Sequence, residues 1–342
     1  MIRGRSFAAA VLIGATAGCA TAPPSREDPS LARARMLASH ADEDAAVGRL
    51  RAALDAYHEA ARLAPGEARY AEREKEVRAD LVARRTREAT DALARKDVAA
   101  ARRAAVSILE LDPGAADGYR SLAKAAEAEG VLEDAWTAAR RAHEIDPADA
   151  AWTDTLAGLA VRTGRWAEAQ ALYEELARTD SAFCEKAAAA RLEFRIQNLP
   201  DVARRAALSP RLTRAQLAAL LVELAPEVRD ARIPLGAEVA VDVVDRPERA
   251  ALVRTIALGF FSVSRDTHLA YPDAAVARGE MSSHLRRLAA LAGGDLECGA
   301  GGAAASLSEC GILPDGPRQL TGREAAAAID AALRIARAGG SR

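Results

Sequence analysis

Bulky side chains are scarce in this 342-residue chain: aromatic residues make up 4% of it, and there are only three Met. With so few aromatics, a sandwich or barrel core rich in Val, Ile, Thr and aromatic residues is excluded, and with it an all-β fold. Neither charge dominates. The 47 basic residues balance 49 acidic ones to a net charge of −2, with the signs interspersed, which argues against a general nucleic-acid binder. Lysine is nearly missing, present only as Lys75, Lys96, Lys124 and Lys186, so the cationic surface is arginine. The five histidines (His40, His58, His143, His268 and His284) are scattered without metal-ligand spacing. No Gly-x-Ser-x-Gly elbow is present, and the glycine run at 299–302 follows no strand, so no phosphate loop is read there. His268, His284 and Asp273 are the one grouping with catalytic residue types, and it is read as incidental. No cofactor or metal site is expected.

What the chain has in abundance is alanine, 87 residues, about half of its hydrophobic set. Alanine is the best helix former and the smallest apolar side chain, so the composition predicts a mainly α fold of closely packed helices. The length suggests two domains.

The N-terminus reads as an address. Arg3 and Arg5 precede a short apolar stretch, residues 7–17, too short to span a bilayer as a permanent helix. It ends in Thr16-Ala17-Gly18-Cys19, which resembles the lipobox of bacterial lipoproteins, with Thr16 where Leu is usual. The resemblance implies a signal peptide over 1–18, cleavage before Cys19, and lipidation of Cys19. Ala20 in place of Asp then implies the outer membrane, with the protein facing the periplasm. Residues 19–30, with Pro23, Pro24 and Pro29, read as a tether. In an oxidising compartment Cys298 and Cys310 are a candidate disulfide across a short Gly/Ala/Ser loop, with a stabilisation of about 3 kcal/mol. Cys184 is left over and expected as a small buried apolar side chain.

Residues 31–183 carry an internal period. Pro65, Pro113 and Pro147 each close a helix-like segment, the last two 34 residues apart and the first two 48 apart. This resembles the tetratricopeptide repeat (TPR), a 34-residue helical hairpin, with copies at 34–67, 82–115, 116–149 and 150–183. The family's small places fall on Ala41, Ala89, Ala123 and Ala157, and on Ala53, Ala101, Ala135 and Ala169. Tyr57 and Tyr173 fill the aromatic place in two copies, and Leu122 and Leu156 the large apolar place. Gly130 and Gly164 fall at the turns between paired helices. The insert 68–81, free of Gly and Pro, is expected to lengthen the helix that follows into the nineties. The family implies a concave groove for a protein partner.

A bridging helix is expected over 184–206. Beyond it, over 207–338, one phrase returns three times: Leu212-Thr213-Arg214-Ala215-Gln216, Val276-Ala277-Arg278-Gly279-Glu280 and Leu320-Thr321-Gly322-Arg323-Glu324. Each opens an apolar helix. Thr213 and Thr321 have the capping-box spacing to Gln216 and Glu324, whereas Ala277 lacks the hydroxyl and predicts a weaker cap. Around the middle copy come Asp242-Val243, a helix over 246–258 with Pro247 near its first turn, Gly259-Phe260-Phe261, and Tyr271-Pro272. This order resembles the S-layer homology (SLH) module, with the first and third phrases as incomplete copies and the module's usual Trp absent. The resemblance implies a pseudo-threefold arrangement. It also implies that Arg214, Arg278 and, shifted by one place, Arg323 contact an anionic cell-wall saccharide, for which the planar guanidinium fork is suited.

The sequence therefore leads to a mainly α chain: a TPR-type α-solenoid, then an SLH-like helical domain with short loops. The function expected is that of a non-enzymatic envelope adaptor, with polysaccharide binding as the alternative.

Overall fold

The structure is a computed structural model that describes residues 28–296 apart from 237 and 239, together with Leu307, Ile312, Leu313, Gly316 and residues 319–339. The expected signal peptide, Cys19 and the Cys298–Cys310 bridge lie outside the described residues. Among the described residues there are fifteen α-helices, no helix long and apolar enough to cross a membrane, and only isolated β-bridges. The chain divides into two compact units, Met1–Gly114 and Ala115–Arg342.

The first unit holds two helical hairpins, α1 (Pro29–Ala46) with α2 (Leu50–Leu63) and α3 (Ala68–Ala94) with α4 (Val98–Leu111). Asp28 accepts the Ser30 N–H, and Pro29 opens α1 at a position where its missing N–H has no consequence. Gly48, at φ 78°, turns the chain into α2. The insert 68–81 is absorbed into α3, a single helix of 27 residues and roughly 40 Å. Its charges face outward, while Tyr70, Val77 and Leu81 pack inward on Ala53, Leu54, Tyr57 and Ala60.

The second unit opens with two more hairpins, α5 (Ala116–Ala128) with α6 (Leu132–Ile145) and α7 (Ala150–Arg162) with α8 (Trp166–Ala177). Gly130 and Gly164, at φ 79° and 72°, make their turns, as the spacing predicts. In the two units together, the eight alanines assigned to the small places are each at most 1% exposed. A longer side chain there would hold paired helices apart, so their burial supports a TPR-type helical repeat. Trp152 is buried in the second hairpin, and its indole N–H donates to Ala139 O at 3.1 Å.

The expected single helix over 184–206 is two helices, α9 (Cys184–Gln197) and α10 (Asp201–Ala207). Pro200 explains the break: it disfavours helical geometry at Leu199 and lacks the N–H an interior helical position would use. Cys184 is exposed, not buried, because Ala187 and Ala190 form the packed side of α9.

The remaining helices are α11 (Arg214–Leu224), α12 (Pro226–Asp230), α13 (Arg249–Ala257), α14 (Arg278–Leu291) and α15 (Gly322–Gly339). The helix expected from 246 begins at Arg249, with Pro247 in the preceding turn. The leucines of α11 (Leu217, Leu220, Leu221 and Leu224) pack with Leu252, Met281, Leu285 and Ile329 in one core. Alanine helices of the repeats give way here to a thicker leucine core, since α11 is apolar nearly all round and is covered on all sides.

Candidate functional site

The three phrases meet. Leu212, Val276 and Leu320 are all fully buried. The Leu212 N–H donates to Leu320 O at 2.8 Å, and the Val276 N–H donates to Leu212 O at 3.0 Å. A β-bridge between Ala277 and Gln319 links the second phrase to the third, closing a triangle of backbone contacts. The helices α11, α14 and α15 leave from its corners.

Each phrase starts its helix as its residues dictate. The Thr213 hydroxyl accepts the Gln216 N–H at 3.3 Å, and Gln216 Oε1 accepts the Thr213 N–H at 3.0 Å, a complete capping box. Thr321 and Glu324 make the same reciprocal pair at 3.2 and 2.8 Å. Ala277 makes no side-chain cap, as expected.

The arginines fall between neighbouring phrases. Arg214 Nε donates to Glu280 Oε1 at 2.9 Å, and its Nη1 to Ala270 O at 3.2 Å. Arg278 Nη2 donates to Glu324 Oε1 at 2.6 Å, with only 16% of its side chain exposed. The arginine of each of the first two phrases is thus held by the glutamate of the next. Glu324 carries two duties, and the Thr321 N–H, followed by Arg278, holds its carboxyl below the usual range. The third corner departs from the pattern. Gly322 stands at the arginine place, and Gln216 stands at the glutamate place of the first phrase. A Cβ on Gly322 would lie 1.9 Å from Ala206 O, so the end of α10 fills the space a third arginine would need. Arg323 points elsewhere, 3.3 Å from Glu193 Oε2 on α9, and is 59% exposed.

The turn before the middle phrase is braced by residues whose roles the sequence reading left open. Asp242 accepts the N–H groups of Ala270 and Tyr271 at 3.0 and 2.9 Å. This holds Tyr271 at φ 57°, a left-handed geometry costly for a bulky side chain, and nearby His268 lies at φ 52°. Arg246 forms a two-pronged pair with Asp273, which lowers the Asp273 carboxyl below its ordinary value. Spacing alone could not reveal that pair across 27 residues. The three residues of the histidine grouping have separate surroundings: His268 is exposed, Asp273 is taken by Arg246, and His284 is buried against Phe260 and Phe261. Among the described residues no group of His, Cys, Asp and Glu could hold a metal ion.

The repeats offer open clefts of mixed lining instead. In the first unit a cleft of 660 Å³ is lined by Arg35, Ser39, Asp42, Arg69, Tyr70 and Arg73, with Tyr57 at its floor. The Tyr57 hydroxyl donates to Asp42 at 2.5 Å, and Arg73 donates to Asp42 at 3.1 Å. Burial, then the hydrogen bond to Asp42, raises the Tyr57 phenol above its ordinary value, so it stays a donor at neutral pH. In the second unit a cleft of 470 Å³ on α5 and α6 is lined by Tyr119, Leu122, Asp134, Thr137 and Arg141, among others. Around Trp136, Arg165 and Arg140 stack at 4.0 and 5.1 Å from the ring centre, which stiffens charged side chains on this surface.

No family model and no curated protein matches the chain. Solved structures similar to it include MamA 41-end from Desulfovibrio magneticus RS-1 and a MamA RS-1 ArsTM double mutant. Each is 17% identical, covers 44% of this chain and 76% of the other, and has a TM-score of 0.25. At that score the likeness carries no weight, and the helical-repeat fold rests on the pairing of the helices and the burial of their alanines.

Proposed function

We propose that the chain is a non-enzymatic adaptor of the cell envelope, whose helical repeats hold a protein partner. The observation that carries this reading is the run of helical hairpins with open clefts lined by mixed polar, aromatic and arginine side chains. Tyr and Arg are the residue types that supply contact area and charge-assisted hydrogen bonds at protein interfaces. On this reading Cys19 carries the lipid that anchors the protein at the outer membrane, facing the periplasm, and the SLH-like helical module serves as a second attachment point.

Photo-crosslinking tests the adaptor role. A photoreactive residue at exposed Ser39 or Thr137 of the full chain is expected to trap one discrete protein partner in cells. Absence of any specific adduct at both positions would overturn the reading. Mass spectrometry of the mature N-terminus checks the anchor: a lipid-modified Cys19 is expected, and an unmodified one refutes it.

Polysaccharide binding is the second reading, supported by the SLH-like order of residues around the middle phrase. Against it, Arg214 and Arg278 are already engaged by Glu280 and Glu324. Sedimentation with purified cell-wall polymer separates the two. The adaptor reading expects no co-sedimentation, and polymer binding abolished by Arg214→Ala plus Arg278→Ala would instead establish the saccharide site.

A further inference from the structure

Among the described residues His284 is the one buried side chain of the Asp, Glu, His, Lys and Arg types, at 5% exposed. Its ring sits on α14 between Phe261, edge-on at 5.0 Å, and Phe260 at 6.0 Å. Its Nε2 is buried with no hydrogen-bond partner and stands 3.7 Å from Glu280 Oε1. That same oxygen receives Arg214 Nε at 2.9 Å, the link between the first and second phrases. The charges that bear on the ring are Glu280 and Arg287 from its own helix and Arg214 from α11. The segment carrying Phe260 and Phe261 brings aromatic rings only, apart from Leu258 O, which accepts Arg287 Nε at 2.6 Å. Charged residues of the other helices packed on α14 have their own partners: Glu227 of α12 pairs with Arg337, Arg229 with Asp230, and on α15 Glu324 pairs with Arg278 and Asp330 with Arg195.

We propose that His284 makes the joint between the first and second phrases acid-sensitive. A neutral imidazole leaves Glu280 to Arg214. A protonated one sets a second cation against the same carboxylate oxygen, beside Arg214 and inside an aromatic enclosure that cannot hydrate it. Glu280 attracts that charge, but the lost hydration and the repulsion by Arg214 outweigh the attraction, so protonation favours opening of the Phe260–Phe261 cover, and competition for the one oxygen favours release of Arg214 from Glu280.

The direction of the pH dependence follows from the burial. Desolvation, the largest influence, places the folded-state value of His284 below its ordinary one. The unfolded chain therefore takes up the proton first. The stability of this region is full above about pH 6.5 and declines as pH falls from there toward the folded-state value.

The test uses the full chain labelled at histidine Cε1. NMR titration reads the His284 midpoint, and hydrogen exchange of 278–291, corrected for intrinsic rates, reads local opening. The expected result is a midpoint below 6.5 and protection that falls by up to about tenfold per pH unit across that window, the limit for one linked proton. His284→Gln is expected to abolish this dependence. Protection that stays flat in the wild type, or an equal dependence in the variant, overturns the proposal. Should His284→Gln fail to fold, the wild type decides alone: a midpoint below 6.5 together with protection that falls across the window supports the proposal, and a midpoint of 6.5 or above, or flat protection, defeats it.

Discussion

Gly322 and Gly279 occupy neighbouring places in equivalent phrases and make opposite demands. A Cβ on Gly322 would meet Ala206 O at 1.9 Å and Ala207 O at 2.7 Å, both backbone atoms that cannot swing away, whereas a Cβ on Gly279 meets nothing within 4 Å. Gly322→Ala is expected to destabilise by about 2 kcal/mol or more through forced displacement of α10 or α15. Gly279→Ala is expected to stabilise by about 0.5–1 kcal/mol, because it removes glycine's entropy cost inside a helix. Urea midpoints of the two variants check both signs. Trp152 is the third residue with a decided role. It fills the α7–α8 hairpin, its buried indole N–H is satisfied by Ala139 O, and its truncation to Ala is expected to cost about 3–5 kcal/mol. The sequence shows the third arginine shifted by one place, to Arg323, but the reason for the glycine at 322 lies in α10, distant along the chain.

At the scale of elements, the helix starts divide into two with a capping box and one without. Thr213→Ala removes a box and is expected to cost about 1 kcal/mol, while Ala277→Ser supplies a missing hydroxyl to α14 and is expected to gain about 0.5–1 kcal/mol. Thermal unfolding of both variants reads this, and equal effects of the same sign would contradict it. The paired helices make a second expectation. Ala157 lies fully buried between α7 and its neighbours, so Ala157→Leu should destabilise by about 1–3 kcal/mol, whereas the same change at exposed Ala79 on α3 should stay within about 0.5 kcal/mol. Turn glycines, terminal prolines and alanine places made the hairpins legible, because each is a local requirement of a helical hairpin. Two boundaries differ from expectation, each at a proline: Pro247, one place inside the expected start at 246, lies before α13, and Pro200, six places before the expected end at 206, splits the bridging helix in two.

At the scale of the whole molecule, the helical module depends on charges that join separate segments. The Arg278–Glu324 pair couples phrases 46 residues apart. Glu324 is partly open to solvent, so a double-mutant cycle between Arg278→Ala and Glu324→Gln is expected to give a coupling of only about 1 kcal/mol. The depressed Glu324 carboxyl fixes the sign of its pH dependence. Its contribution is complete above about pH 4.3, the unfolded value, and is lost as pH falls through the folded value. Glu324→Gln should flatten that acid limb of the urea midpoint. The acid sensitivity proposed for His284 lies at higher pH, so the two are separable in one titration.

The sequence by itself determined the helical class, the hairpins, the turns at Gly130 and Gly164, and the three helix starts. Each depends on side chains within a few turns of one another: alanine size, glycine φ, a hydroxyl three places before a carboxylate or amide. Only the tertiary structure decided which groups the phrase arginines meet within the chain. Arg214 and Arg278 were candidates for an external anion, and the closing of the phrases into a triangle brought Glu280 and Glu324 to them first. It also decided that the third corner has no arginine, because the end of α10 takes that space, and that His284 is enclosed by two aromatic rings beside a carboxylate already engaged. Such contacts join segments tens of residues apart, and no local pattern in the chain encodes which distant group arrives.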